Sequence, residues 1–164
     1  MPYMNELVGN VDVEDHHLII ATGSTQLIHA ALFGIAKANG PLVVRQQAPY
    51  YTAHAECAKY FNTSLLSWSE EDFVSPCSHD TIEIVTSLNN SDGSLLTAQC
   101  TGALQVYDNA YFWPHFMPLT SRRSDDVILF TLSKLTGHAG SRVGWAFVRD
   151  ADIAASMGDH GRVR

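Results

Sequence analysis

The stretch LFTLSKLTGHAGSRVGW, residues 129–145, brings Lys134 to the end of an apolar run and places Arg142 eight residues later, with glycines and small polar residues between them. A lysine drawn partly out of water at a strand end can serve as a neutral amine, a nucleophile toward an aldehyde. An arginine close by suits a phosphate, because its planar fork matches phosphate oxygens in pairs. Taken in isolation, the two are equally well a solvated loop lysine and a surface arginine. The remaining polar residues have to decide between these readings.

Three further places carry comparable chemistry. Gly23, Ser24, Thr25 and Gln26 form GSTQ at the start of a helical pattern; free backbone N–H groups and the helix dipole there favour an anion. An ordinary N-cap uses the same residue types. Asn90 lies in NNSDG, a turn by its composition. Asp108 ends the apolar run ALQVYD, with Tyr111 one helical turn further; an acid in that place either caps a helix or holds a buried cationic partner. A zinc reading competes with these: HAEC at 54–57 and Pro76-Cys77 echo the deaminase pattern H-x-E followed by P-C-x-x-C. The second cysteine of that pattern falls on Asp80, so one ligand is missing, and His54, Glu56 and Cys57 read as parts of a helix. His16, His17 and His138 show no metal-ligand spacing.

The elements that must position these residues follow from periodicity. HLIIATGSTQ reads as a strand, a tight turn and the start of a helix that runs through STQLIHAALFGIAKANG and stops at Gly40. PLVVRQ is a buried strand, APYYTAHAECAKYF a turn leading into a helix, and SLLSW a short strand. SEEDFVSPCSHD reads as a surface loop. TIEIVTS, ALQVYD, VILFTLS and RVGWAFV supply further strands, and DADIAASMG begins a last helix. Strands separated by helices predict one α/β domain over 1–164, with three layers and a mostly parallel central sheet covered on both faces. In such sheets ligands gather at the carboxyl ends of strands, where all four places fall.

Charge narrows the partners. The formal net charge is −7, and no run of Lys or Arg exceeds Arg122-Arg123. A surface that tracks phosphates or anionic lipids needs clustered positive charge, so neither nucleic acid nor membrane is expected. Cys57, Cys77 and Cys100 are odd in number and widely spaced, which reads as free thiols in a reducing compartment. With neither a secretory signal nor a membrane-length apolar run visible, a soluble cytoplasmic protein is expected.

The four places taken in order, with ATGSTQLIHAAL, VYDNAYFWPHF and LFTLSKLTGHAGSRVGWAFVRD, resemble the fold type I pyridoxal-phosphate enzymes of the aspartate aminotransferase superfamily. Within it they resemble the alliinase and tryptophan aminotransferase branch. The resemblance implies that Lys134 forms a Schiff base with the cofactor aldehyde and then moves the proton of the substrate Cα. It implies that Asp108 keeps the pyridine nitrogen protonated, and that Asn90 and Tyr111 hold the ring hydroxyl oxygen. Tyr51, in preference to Tyr50, would stack on the ring. Gly23, Ser24 and Thr25, with the Gln26 amide, Ser133 and Arg142, would cup the phosphate.

Amino acid and 2-oxo acid substrates and a homodimeric full-length protein are implied as well. Two activities share every residue named: transamination of an aromatic amino acid, and carbon–sulfur lysis of an S-alkyl cysteine sulfoxide. A third outcome is a cofactor-binding fragment without activity. Two departures from the family pattern stand out. The turn usually written S-P-N-N-P-[DE]-G is SLNNSDG here, with Leu88 and Ser91 at the proline positions. The chain also has no counterpart of the family's small C-terminal domain or of its N-terminal segment, so it is expected to be a partial large domain.

Overall fold

Seven strands form one sheet, in the spatial order β1-β7-β6-β5-β4-β2-β3. The computed structural model of the chain describes residues 11, 14–60, 64–70, 77–119 and 123–161. In chain order the elements are β1 (His17–Ala21), α1 (Ser24–Asn39), β2 (Leu42–Gln46), α2 (Thr52–Tyr60), β3 (Leu66–Trp68), β4 (Thr81–Thr86), β5 (Leu104–Asp108), β6 (Val127–Thr131), α3 (Leu132–Leu135), a 3₁₀ turn (Ala139–Ser141), β7 (Gly144–Val148) and α4 (Ala151–Gly161). Every strand and helix expected from periodicity is present. Residues 71–76 of the expected surface loop, Pro76 of the zinc echo and Arg122 lie outside the described residues.

The sheet is mostly parallel, as expected for its class. β3, β2, β4, β5 and β6 run together. β7 alone opposes them, pairing antiparallel with β6 on one side and with β1 on the other. Parallel strands need a long crossover, whereas an antiparallel neighbour is reached by a short connection. The segment between β6 and β7 is that short connection, and it carries both Lys134 and Arg142. The reversal therefore delivers the two cations to the edge where the parallel strands end.

β4 and β6 are buried along their whole length, consistent with cover on both faces. On one face, α1 presents Leu27, Ala31, Leu32 and Ile35 to Val44, Ile82, Ile84, Val106 and Leu129. α4 lies against α1 where Gly34 has no side chain: a Cβ there would meet the Ile153 carbonyl and Met157 Cγ at 3.2 Å. α1 ends at Gly40, whose φ of 92° few other residues adopt and whose N–H reaches the Ala36 carbonyl at 2.9 Å. On the other face, Val85, Tyr107, Ile128, Phe130 and Phe147 pack under Trp113, with Leu96 and Ala98 beside them. The Arg123 guanidinium sits 4.0 Å from the centre of the Tyr107 ring and bonds Asp125 at 2.8 Å, so this half of the basic pair is engaged inward.

The crossover from β4 to β5 contains no helix. It runs over the second face and is held by the buried Glu83 carboxylate, which accepts the N–H groups of Gln99 at 2.7 Å and Cys100 at 2.9 Å. Here one expectation is overturned. Cys77 and Cys100 are joined as a disulfide, their Cα atoms 5.3 Å apart, and only Cys57 is free. β4 and β5 are adjacent parallel strands, so the segments that enter them start side by side, a proximity that 23 residues of sequence separation conceal. The reducing compartment inferred from free thiols loses its basis. Among the described residues, no helix is long and apolar enough to cross a membrane.

Candidate functional site

At the carboxyl edge of the sheet, a cavity of about 300 Å³ is lined by Ser24, Thr25, Tyr51, Asn90, Asp108, Tyr111, Ser133, Lys134 and Arg142, together with Thr86 and Cys57. These side chains come from widely separated segments, and the topology brings them together. Asp108 is the last residue of β5, and Lys134 lies in the short helix after β6. Thr131 caps that helix, its hydroxyl accepting the Ser133 N–H at 3.2 Å. The Lys134 ammonium nitrogen is 5.1 Å from the centre of the Tyr111 ring.

One end of the cavity gathers features that favour an anion. α1 is a sixteen-residue helix whose first residues, Ser24 and Thr25, line the cavity, and its first turn holds no acid. Its free N–H groups and dipole favour negative charge. Arg142, in a left-handed conformation with φ 49°, folds its guanidinium back over this end, with Nη2 donating to the Thr22 carbonyl at 3.4 Å and Nη1 to the Ala139 carbonyl at 3.3 Å. Only glycine at 23 permits this: a Cβ there would lie 2.5 Å from Nη2. Gly144 has a similar constraint, since its Cβ would come within 2.7 Å of the Gly23 carbonyl carbon.

Gly23 and Gln26 do not line the cavity. Gly23 gives room to Arg142, and the Gln26 side-chain oxygen accepts the N–H of Thr22 at 2.8 Å and its hydroxyl at 2.6 Å. The Gln26 oxygen thus holds the turn. Of the tyrosine pair, Tyr51 lines the cavity, 44% exposed, whereas Tyr50 packs edge-on against Trp68. The turn without its prolines is held by Asn89, whose amide donates to the Pro49 carbonyl at 2.8 Å and whose backbone N–H reaches Ser94 at 2.8 Å. That tether leaves Asn90 on the cavity wall.

Two residues that sequence reasoning missed stand behind Asp108. His54, fully buried, has Nε2 3.0 Å from Asp108 Oδ2 and Nδ1 2.9 Å from Gln46 Oε1. Asp108 Oδ1 accepts the Ala110 N–H at 2.9 Å. The signal for His54 was its place three residues after Tyr51, which stands just before α2 and meets the His54 ring edge-on at 5.4 Å. The zinc echo dissolves in the same contacts, because His54 is committed to Asp108 and Cys77 to Cys100. Cys57 is a neutral thiol in the wall: burial, then the nearby Glu56 charge, pushes its pKa up to about 11.

Comparison with known proteins gives a consistent picture. The Allinase family profile matches residues 2–161. Tryptophan aminotransferase-related protein 2 of Oryza sativa subsp. japonica is 39% identical over 165 residues, covering 94% of this chain and 32% of the relative. Alliin lyase 1 of Allium sativum is 36% identical over 159 residues, covering 92% and 33%. The chain thus spans about a third of the length of these curated relatives. Among solved structures, the aromatic aminotransferase of Pyrococcus horikoshii matches with a TM-score of 0.68 at 16% identity, over 96% of this chain and 49% of that one. An Escherichia coli protein with a methionine aminotransferase function matches with a TM-score of 0.68 at 16% identity, over 97% and 49%. At such identities these two support the fold.

Proposed function

The chain belongs to the allinase family, and from that premise we propose that it is the cofactor-holding part of a pyridoxal-phosphate-dependent enzyme that transfers the amino group of an aromatic L-amino acid to a 2-oxo acid. The observation that carries this reading is the convergence of Lys134, Arg142 and Asp108, from separate segments, on one cavity at the N-terminus of α1. The donor set fits the cofactor: a cationic, N–H-rich end for a phosphate, a buried carboxylate for a protonated ring nitrogen, and an amine for an aldehyde. A volume of about 300 Å³ is at the small end of the roughly 300–1,000 Å³ usual for ligand pockets.

When bound, pyridoxal phosphate supplies an aldehyde and an electron-withdrawing ring. The chain's own residues do the rest. Ser24 and Thr25, with Ser133 and Arg142, bind the phosphate. Asp108 holds the proton at the ring nitrogen, and Asn90 and Tyr111 orient the ring through its hydroxyl oxygen. Tyr51 would stack on the ring and exclude water there. Lys134 would be the amine that takes the aldehyde, whose oxygen would leave as water, and would carry the proton at the substrate Cα.

Adding the cofactor to the purified chain should produce the visible absorbance of lysine-bound pyridoxal phosphate, lost in Lys134→Ala. A wild-type chain without that band would overturn the reading. Carbon–sulfur lysis is the second reading, favoured by the near-equal identity to alliin lyase 1. Tryptophan with pyruvate should give indole-3-pyruvate if the first holds; an S-alkyl cysteine sulfoxide should give pyruvate if the second does. A band with neither product identifies a binding fragment without turnover.

A further inference from the structure

The β4–β5 crossover folds back on itself before it crosses the second face. The Asn89 N–H donates to the Ser94 carbonyl at 2.8 Å and the Leu96 N–H to the Ser87 carbonyl at 3.0 Å, with Leu88 and Leu95 facing each other between these bonds. The near limb, 87–89, delivers Asn90 to the cavity wall. The far limb, 94–96, closes that turn and runs on to Cys100. From Asn90 to Gln99 no residue is buried, and packing reaches this stretch through the half-buried Leu96 and Ala98. Its far end is fixed at Cys100, 2% exposed, by the bond to Cys77, a half-buried residue followed by three exposed ones.

We propose that the Cys77–Cys100 bond is a redox-controlled latch on Asn90: intact, it keeps the far limb against the near one, and its reduction by a dithiol loosens the turn that holds Asn90 at the cavity. The functional consequence rests on the reading of Asn90 as a cofactor contact. Of the two sulfurs, that of Cys77 is the accessible one. A reductant thiolate attacks it, the Cys100 sulfur leaves and takes up a proton, and the second thiol of the reductant then displaces Cys77. Two electrons and two protons end on the two cysteine thiols, and the reductant becomes a disulfide.

The contacts that survive reduction are few-atom contacts in an exposed stretch. Gln99 and Cys100 keep their N–H bonds to the Glu83 carboxylate at 2.7 and 2.9 Å, and Ala98 its bond to the Tyr107 hydroxyl at 3.2 Å. Segments with little buried apolar contact open at low cost, well before the core does. No proline stiffens the crossover, since none occurs from Cys77 to Trp113. The Asn89 side chain ties the near limb to the Pro49 carbonyl at 2.8 Å. That fixes one point; pairing with the far limb sets the direction in which the chain leaves it toward Asn90.

The test is amide hydrogen exchange of the nitrogen-15-labelled chain without added cofactor, oxidised and after dithiothreitol. Reduction should speed exchange at Asn89 and Leu96 about tenfold or more and leave the amides of β6 unchanged. Leu88→Pro, which stiffens the turn without the bond, should make Asn89 less sensitive to the reductant. Unchanged exchange at Asn89 and Leu96 overturns the proposal, and so does an equal rise in β6, which would make the loss global. If Leu88→Pro does not fold, wild type in its two redox states still decides. In a second arm, reduction should weaken pyridoxal phosphate binding about tenfold in wild type and leave that of Asn90→Ala unaltered. Equal binding by wild type in both states overturns the link to the cavity. A chain that binds no cofactor in either state fails the cofactor reading, while exchange still reports the latch.

Discussion

The contact between Gly23 and Arg142 fixes where the guanidinium stands at the start of α1. Alanine at 23 would have to adopt φ 84° and would drive a methyl group to 2.5 Å from the guanidinium. The arginine must then move away from the end of α1. Gly23→Ala should weaken binding of inorganic phosphate and of pyridoxal phosphate about tenfold, a change of about 1.4 kcal/mol, read by titration calorimetry. Gly137→Ala is the control, because Gly137 also has a positive φ, 72°, but nothing within 4 Å of its would-be Cβ. Equal losses in both variants would attribute the effect to backbone strain and not to the arginine.

The residue scale also sets a pH dependence. The Cys57 pKa lies at about 11 in the folded chain against 9.0 for a free thiol. The folded state therefore retains a proton that the unfolded state gives up. This contribution to stability is complete below pH 9.0 and is lost as pH rises through about 11. Urea midpoints should fall across that window, and the fall should be shallower in Cys57→Ala. The residues that sequence made legible are those whose type is unusual for their place: a lysine and an acid ending apolar strands, an arginine among glycines. Gln46 and His54 stayed hidden because only the packing of β2 and α2 beside β5 brings them to Asp108.

Among the elements, the helices and strands were readable because each repeats an apolar pattern, but pairing between distant segments leaves no such pattern. The reversed direction of β7 and the Cys77–Cys100 bond are both of that kind. The helix-free crossover from β4 to β5 shows why the bond matters. It travels back over the second face, held among other contacts by the Glu83 carboxylate, the Tyr107 hydroxyl, which accepts the Ala98 N–H at 3.2 Å, and the disulfide. The same crossover carries Asn89 and Asn90 near its start. Cross-links constrain the unfolded chain, and for residues 23 apart in sequence the gain is about 3 kcal/mol. Reduction, or the double change Cys77→Ser and Cys100→Ser, should lower the unfolding free energy by that order in urea melts. A midpoint unchanged by reductant would show that the carboxylate and the core hold the crossover without the bond.

At the scale of the whole molecule, the cavity is the place where separately built parts meet: the start of α1, the Tyr51 segment before α2, the ends of β4 and β5, and the β6–β7 connection. Within the sheet these parts are joined mainly through strand pairing below the cavity, and a ligand with a phosphate at one end and a ring at the other would join them above it. A ligand that binds only the folded state adds RT ln(1 + [L]/Kd), about 2.7 kcal/mol at a hundredfold excess over Kd. Pyridoxal phosphate should therefore raise the melting temperature of this chain measurably although it spans about a third of its curated relatives. Pyridoxal, which lacks the phosphate, should raise it less, and Arg142→Ala should bring the two ligands together. A melting temperature that responds equally to both ligands in the wild-type chain would mean that the anion end of the cavity contributes nothing, and that the ring and aldehyde contacts carry the binding.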